Sequence, residues 1–135
     1  MMQTNGYAKY REQSVMTAGP GGLVLLLYDG CIKQLKLAKI ADSEAQKTRV
    51  SSHLIKAQEI ISELVNGLNF EISLSQQLYT LYEYLSYELV QANLKQDMAR
   101  VDTVLDMVSD LRQTWVQVIQ EARQLEQTAD AVMAR

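Results

Sequence analysis

Apolar residues recur at alternating steps of three and four along most of this chain, and almost nothing breaks the rhythm. Val50, Leu54, Ala57, Ile61, Leu64 and Leu68 make one series. Leu78, Leu81, Tyr82, Leu85, Leu89 and Ala92 make a second, and Met98, Val101, Val104, Leu105, Val108, Leu111, Trp115, Val118 and Ile119 a third. This spacing puts the apolar residues on one face of an α-helix and, sustained, makes the seam of a helix bundle. There is one proline, Pro20, no glycine after Gly67, and no stretch alternating residue by residue as a half-buried strand would. The expectation is an all-α fold. Four amphipathic helices on short connections are best buried as an antiparallel four-helix bundle. A chain of 135 residues is one domain, large enough to fold without disulfides or metals.

Local signals divide the chain. Residues 1–19 are polar with scattered aromatics and no sustained period, which predicts an extended N-terminal arm. Gly19-Pro20 marks the start of the first helix, because proline lacks only an N–H that would be unpaired at that position. Ser43 followed by Gln46, and Ser73 followed by Gln76, read as capping boxes opening the second and third helices. Asp97 is placed to cap the fourth. The bundle is expected over 20–122. Residues 123–135 contain no glycine or proline and read as a helical extension or a frayed tail.

Composition and spacing exclude several chemistries. The net charge is −3 and the pI about 5.1, without the clustered Lys and Arg of a nucleic-acid binder. No basic segment precedes an apolar one at the N-terminus, and the longest apolar run is too short to span a bilayer, so the expected address is the cytoplasm without membrane insertion. The single cysteine, Cys31, sits in an apolar helix stripe and reads as a buried, inert thiol. The single histidine, His53, has no glutamate three residues before it, so the Glu-x-x-His pairs of a di-metal bundle are missing. Phosphate-loop and nucleophile-elbow motifs are absent, and the carboxylates lie mostly opposite the core stripes. No catalytic, metal or cofactor site is expected, and the chain does not read as an enzyme.

The first helix carries more apolar residues than one core can take. Val24, Leu27, Tyr28, Cys31, Leu35 and Ala38 form a stripe, while Leu25, Ile32 and Ile40 fall off it. On the third helix Tyr82 belongs to the core stripe, and Tyr79, Tyr84, Tyr87 and Val90 lie away from it. Surplus apolar surface on such a chain marks an interaction site, and tyrosine suits one because a large apolar ring carries a polar tip. The alternative is a structural bundle that hides the same face by pairing with itself.

Several segments resemble the FliS family of flagellar secretion chaperones. They are Pro20-x-x-Leu23-x-x-x-Leu27-Tyr28-Asp29-Gly30, Lys56-Ala57-Gln58-x-Ile60-Ile61-x-x-Leu64, Leu78-Tyr79-x-Leu81-Tyr82-x-Tyr84 and Ala92-Asn93, with Trp115 on the last helix. They stand in order from about Tyr7 to Ala122. Gly19-Pro20-Gly21-Gly22 stands where the family often has Ser-Pro and then a glutamate, which weakens the first turn by about 0.3–1 kcal/mol for each lost feature. The resemblance implies a cytoplasmic export chaperone that binds the disordered C-terminal segment of flagellin, prevents premature polymerisation and delivers it to the flagellar type III export apparatus. The export gate would be a second contact, and the chain a monomer or weak homodimer. The residues expected to contact the partner are Tyr7, Tyr10, Leu25, Tyr28, Ile32, Ile55, Tyr79, Tyr82, Tyr84, Tyr87, Val90 and Asn93. The arm, with Tyr7, Tyr10 and Val15, is expected to lie in part of the groove when flagellin is absent. Asp29 and Asn93 also read as structural polar residues beside the core.

Overall fold

A computed structural model describes residues 21–134; the expected arm, with Tyr7 and Tyr10, and Pro20 lie outside the described residues. Four helices follow one another: α1 (Gly22–Ser43), α2 (Lys47–Asn66), α3 (Ser73–Lys95) and α4 (Met98–Met133). There is no strand among the described residues. Short connectors reverse the chain three times, and each helix packs on its sequence neighbours, with α4 closing the ring against α1. The architecture is the expected antiparallel four-helix bundle.

The core is the meeting of the four stripes. Cys31, Leu35 and Ala38 from α1 join Val50, Leu54, Ala57 and Ile61 from α2, Leu85, Leu89 and Ala92 from α3, and Val101, Val104 and Val108 from α4. Ile60 of α2 lies against α1 at Gly30, where a Cβ would stand 3.4 Å from its Cδ1, an ordinary van der Waals contact.

The first helix departs from the expected stripe. Its buried positions are Gly22, Leu25, Tyr28, Cys31, Leu35, Ala38 and Ala41, while Val24 and Leu27 are only half-buried. Six of the steps between them are three or four, and most are three. A repeat of three falls short of the 3.6-residue turn, so the buried stripe winds around the helix as α1 crosses its neighbours. A stripe of fixed direction therefore misassigns Leu25, which is 1% exposed.

Two of the three expected caps are corrected. Ser43 is the last residue of α1, and its hydroxyl donates to the Ile40 carbonyl at 2.6 Å. The reversal falls on Glu44 and Ala45, the latter at φ 57, and α2 starts after Gln46, whose side chain makes no cap. Ser73 is already inside α3, behind Ile72. Its approach is shaped instead by Asn69, whose side chain accepts from the Glu71 N–H at 3.1 Å. Asp97 does cap α4, accepting from the Ala99 N–H at 3.1 Å. At the other end Gly21, with φ 81, occupies the left-handed region before α1, and Ile119 of α4 lies beside it.

Helix α4 has 36 residues where the others have 20 to 23. At 1.5 Å per residue it is about 20 Å longer than α3. It runs unbroken past residue 122 to Met133.

Candidate functional site

At the end of the bundle where α1 begins, the four helices do not close. Leu23, Val24 and Leu27 of α1, Leu64 of α2, Leu74 and Leu78 of α3, and Trp115 of α4 surround an apolar cavity of about 290 Å³. Leu68 and Ile72, from the α2–α3 connector, complete its rim, and the buried Tyr82 lies at its wall. The Trp115 indole nitrogen is buried and has no hydrogen-bond partner among the described residues. A buried donor without a partner costs about 1–3 kcal/mol.

An apolar track leaves this cavity along α3. Ile72 and Leu74 are exposed at its mouth, and the exposed Phe70 of the same connector packs edge-on against Tyr79, with ring centroids 5.8 Å apart. Further along, Tyr84, Tyr87, Val90 and Leu94 are all exposed, Leu94 at 75%. At about 100° per residue, Tyr87 and Leu94 lie nearly opposite the buried stripe of Tyr82, Leu85 and Leu89. Ile55 is likewise exposed on α2. It belongs to the same level as Val90, because Asn93 donates to the Ser51 hydroxyl at 3.1 Å and the two helices run antiparallel from there. From Leu74 to Leu94 these exposed residues span about 30 Å along the axis and wind around α3, with Leu74 about 140° from Tyr87.

The expected contact residues therefore divide. Ile55, Tyr84, Tyr87 and Val90 are exposed, and Tyr79 and Ile32 are half-buried. Leu25 and Tyr28 are inside the core, and present no surface to a partner. Tyr82 is also buried but lines the cavity. Asn93 is half-buried and ties α3 to α2. Asp29 pairs with Arg112, joining α1 to α4. Sequence reasoning missed Leu23, Leu74, Ile72 and Trp115 as lining residues, and the exposed Phe70 of the same connector. The signal was the connector itself: Leu68, Phe70 and Ile72 are large apolar residues in a segment that ordinarily runs over the surface with polar side chains.

The polar chemistry inside the bundle is structural. The Tyr28 and Tyr82 hydroxyls meet at 2.5 Å across the core, joining α1 to α3. Burial, reinforced by the bond to Tyr82, pushes the Tyr28 phenol far above its ordinary range. Burial also raises Tyr82, while its bond to Tyr28 acts the other way. Burial pushes the Cys31 thiol up to about 12, so it carries no thiolate at neutral pH. His53 is half-buried against Gln34 at 2.8 Å. Among the described residues no cluster of His, Cys, Asp and Glu could hold a metal. None of the described helices is long and apolar enough to cross a membrane.

The tyrosine pair sets an alkaline limit. Unfolded tyrosines lose their protons near pH 10, whereas the buried pair retains them, so above that pH the unfolded state binds fewer protons and stability falls. The contribution is whole below pH 10 and decreases above it by up to about 1.4 kcal/mol per pH unit for each tyrosine. Denaturant melts at pH 9, 10 and 11 check this: the doubly substituted Tyr28→Phe, Tyr82→Phe chain should lose the excess slope, and an unchanged slope would refute the assignment.

Known proteins are similar to this chain in sequence. The family described as Flagellar protein FliS matches residues 3–122. The flagellar secretion chaperone FliS of Bacillus subtilis is 44% identical over 119 residues, covering 88% of this chain and 90% of that protein. Its counterparts in Salmonella typhimurium and Escherichia coli are each 31% identical, covering 82% and 83% of this chain and 84% and 85% of theirs. Matched over most of its length by the family and by relatives of similar size, this helical bundle belongs to the FliS family of flagellar secretion chaperones.

Proposed function

We propose that this chain binds the disordered C-terminal segment of flagellin in the cytoplasm, holds it from premature polymerisation and delivers it to the flagellar export apparatus. The observation that carries the reading is the apolar cavity beside Trp115 together with the track from Leu74 to Leu94, neither of which is covered by the described part of the chain. A disordered segment gives up conformational freedom on binding, which costs a few kcal/mol, so it needs several anchors spread over a long surface. One deep pocket joined to about 30 Å of exposed Leu, Tyr and Val suits that demand. Nothing in this role requires catalysis.

Calorimetric titration with the C-terminal segment of flagellin from the same genome tests the reading. Saturable 1:1 binding with a strongly negative heat-capacity change is expected, because coupled folding onto this surface buries apolar area. Absence of heat, with no complex on sizing, would overturn it and leave a bundle that covers the same face by pairing with itself.

A further inference from the structure

The last part of α4 leaves the bundle without becoming polar. Ile119 sits level with Gly21, where α1 begins, and α3 has no residue beyond Ser73 on that side. Past that level Ala122, Leu125, Ala129 and Val132 continue from Val118 at steps of four, three, four and three, and all five are exposed, Leu125 at 71%. On the helix wheel they cluster within about 80° and point the same way as Arg100. Arg100 pairs with Glu88 of α3 at 3.1 Å. The stripe thus prolongs the α3-facing side of α4 beyond the place where α3 starts, and among the described residues leaves a step one helix wide.

The flanks of this stripe are acidic. Glu121 borders it on one side and Glu126 on the other, neither flank carries a Lys or Arg, and Arg123 lies towards the back. We propose that the step docks one amphipathic helix of a partner protein, with an apolar three-four seam and Lys or Arg on both flanks, laid along α4 in line with α3. A second copy of this chain is a poor occupant. Pairing two such stripes sets Glu121 and Glu126 against the same glutamates in either direction, and like charges beside a seam select against that pairing. The step begins beside the cavity mouth at Ile72 and Leu74, but its stripe shares no residue with the cavity or the α3 track, and the test below reads Leu125 and the two glutamates alone.

The test uses two synthetic 21-residue helical peptides with the same Leu/Ala seam, one flanked by lysine and one by glutamate, titrated into the full chain by fluorescence anisotropy. The lysine-flanked peptide should bind saturably, at least tenfold tighter than the other, and more weakly as salt screens the flanks. Leu125→Asp should abolish binding without moving the melting temperature, since the side chain is exposed. Glu121→Lys with Glu126→Lys should reverse the preference. Equal binding by the Leu125→Asp chain, a preference unchanged by charge reversal, or a Leu125-dependent homodimer on sizing would each overturn the proposal.

Discussion

Placing glutamate at both Leu74 and Tyr87 weakens binding of the flagellin segment at least about a hundredfold while the bundle melts where it did before. A hundredfold is about 2.7 kcal/mol. Truncating a single well-buried anchor in an interface commonly costs 2 kcal/mol or more, and a carboxylate facing an apolar ligand adds its own desolvation. Leu74 stands at the mouth of the cavity and Tyr87 among the exposed residues further along α3, so the pair removes one anchor from each of the two apolar surfaces. Both are more than half exposed, and the folded chain loses little when they change. Residue 74 is in the first turn of α3, where an acidic side chain improves the helix by about 0.3–1 kcal/mol. Titration calorimetry and a thermal melt on the same preparations measure both halves. Affinity within threefold of the parent would mean that the segment is held elsewhere.

The bundle was legible because periodicity survives without knowledge of contacts. Each of α2, α3 and α4 buries the series that the spacing picks out, from Val50 through Ile61, from Tyr82 through Ala92, and from Val101 through Val108. Leu25 was misplaced because a fixed stripe assumes a straight, parallel neighbour, and the crossing of the helices rotates the buried side along α1. The serine caps failed for a related reason. Ser43 has the right partner spacing, but its hydroxyl is taken by the carbonyl of Ile40 in the preceding turn, a local competitor that a pattern does not weigh. The site was half legible. Ile55, Tyr84, Tyr87 and Val90 betray themselves as apolar residues opposite a core stripe. The cavity does not, since Leu27, Leu78 and Trp115 obey the core period, and only the unclosed end of the bundle makes them a wall.

Tyr28→Ala should bring the chain close to its unfolding threshold. The side chain is 2% exposed and among the largest in the core, and deleting a buried aromatic ring costs about 3–5 kcal/mol through lost transfer free energy and the cavity left behind. The deletion also strands the Tyr82 hydroxyl, which meets Tyr28 at 2.5 Å; leaving such a group buried and unpaired costs about 1–3 kcal/mol more. Together these approach the 5–15 kcal/mol that separates a typical domain from its unfolded chain. Tyr28→Phe isolates the second loss, because it keeps the ring, and should cost only about 1–3 kcal/mol. Substituting both tyrosines with phenylalanine then leaves no stranded hydroxyl, so the double variant should be more stable than the sum of the single losses predicts. Urea melts of the alanine, phenylalanine and double-phenylalanine chains order the three outcomes. Additive losses in the phenylalanine cycle would show that the two hydroxyls do not depend on each other, and the bond joining α1 to α3 would have to be struck from what holds this core in register.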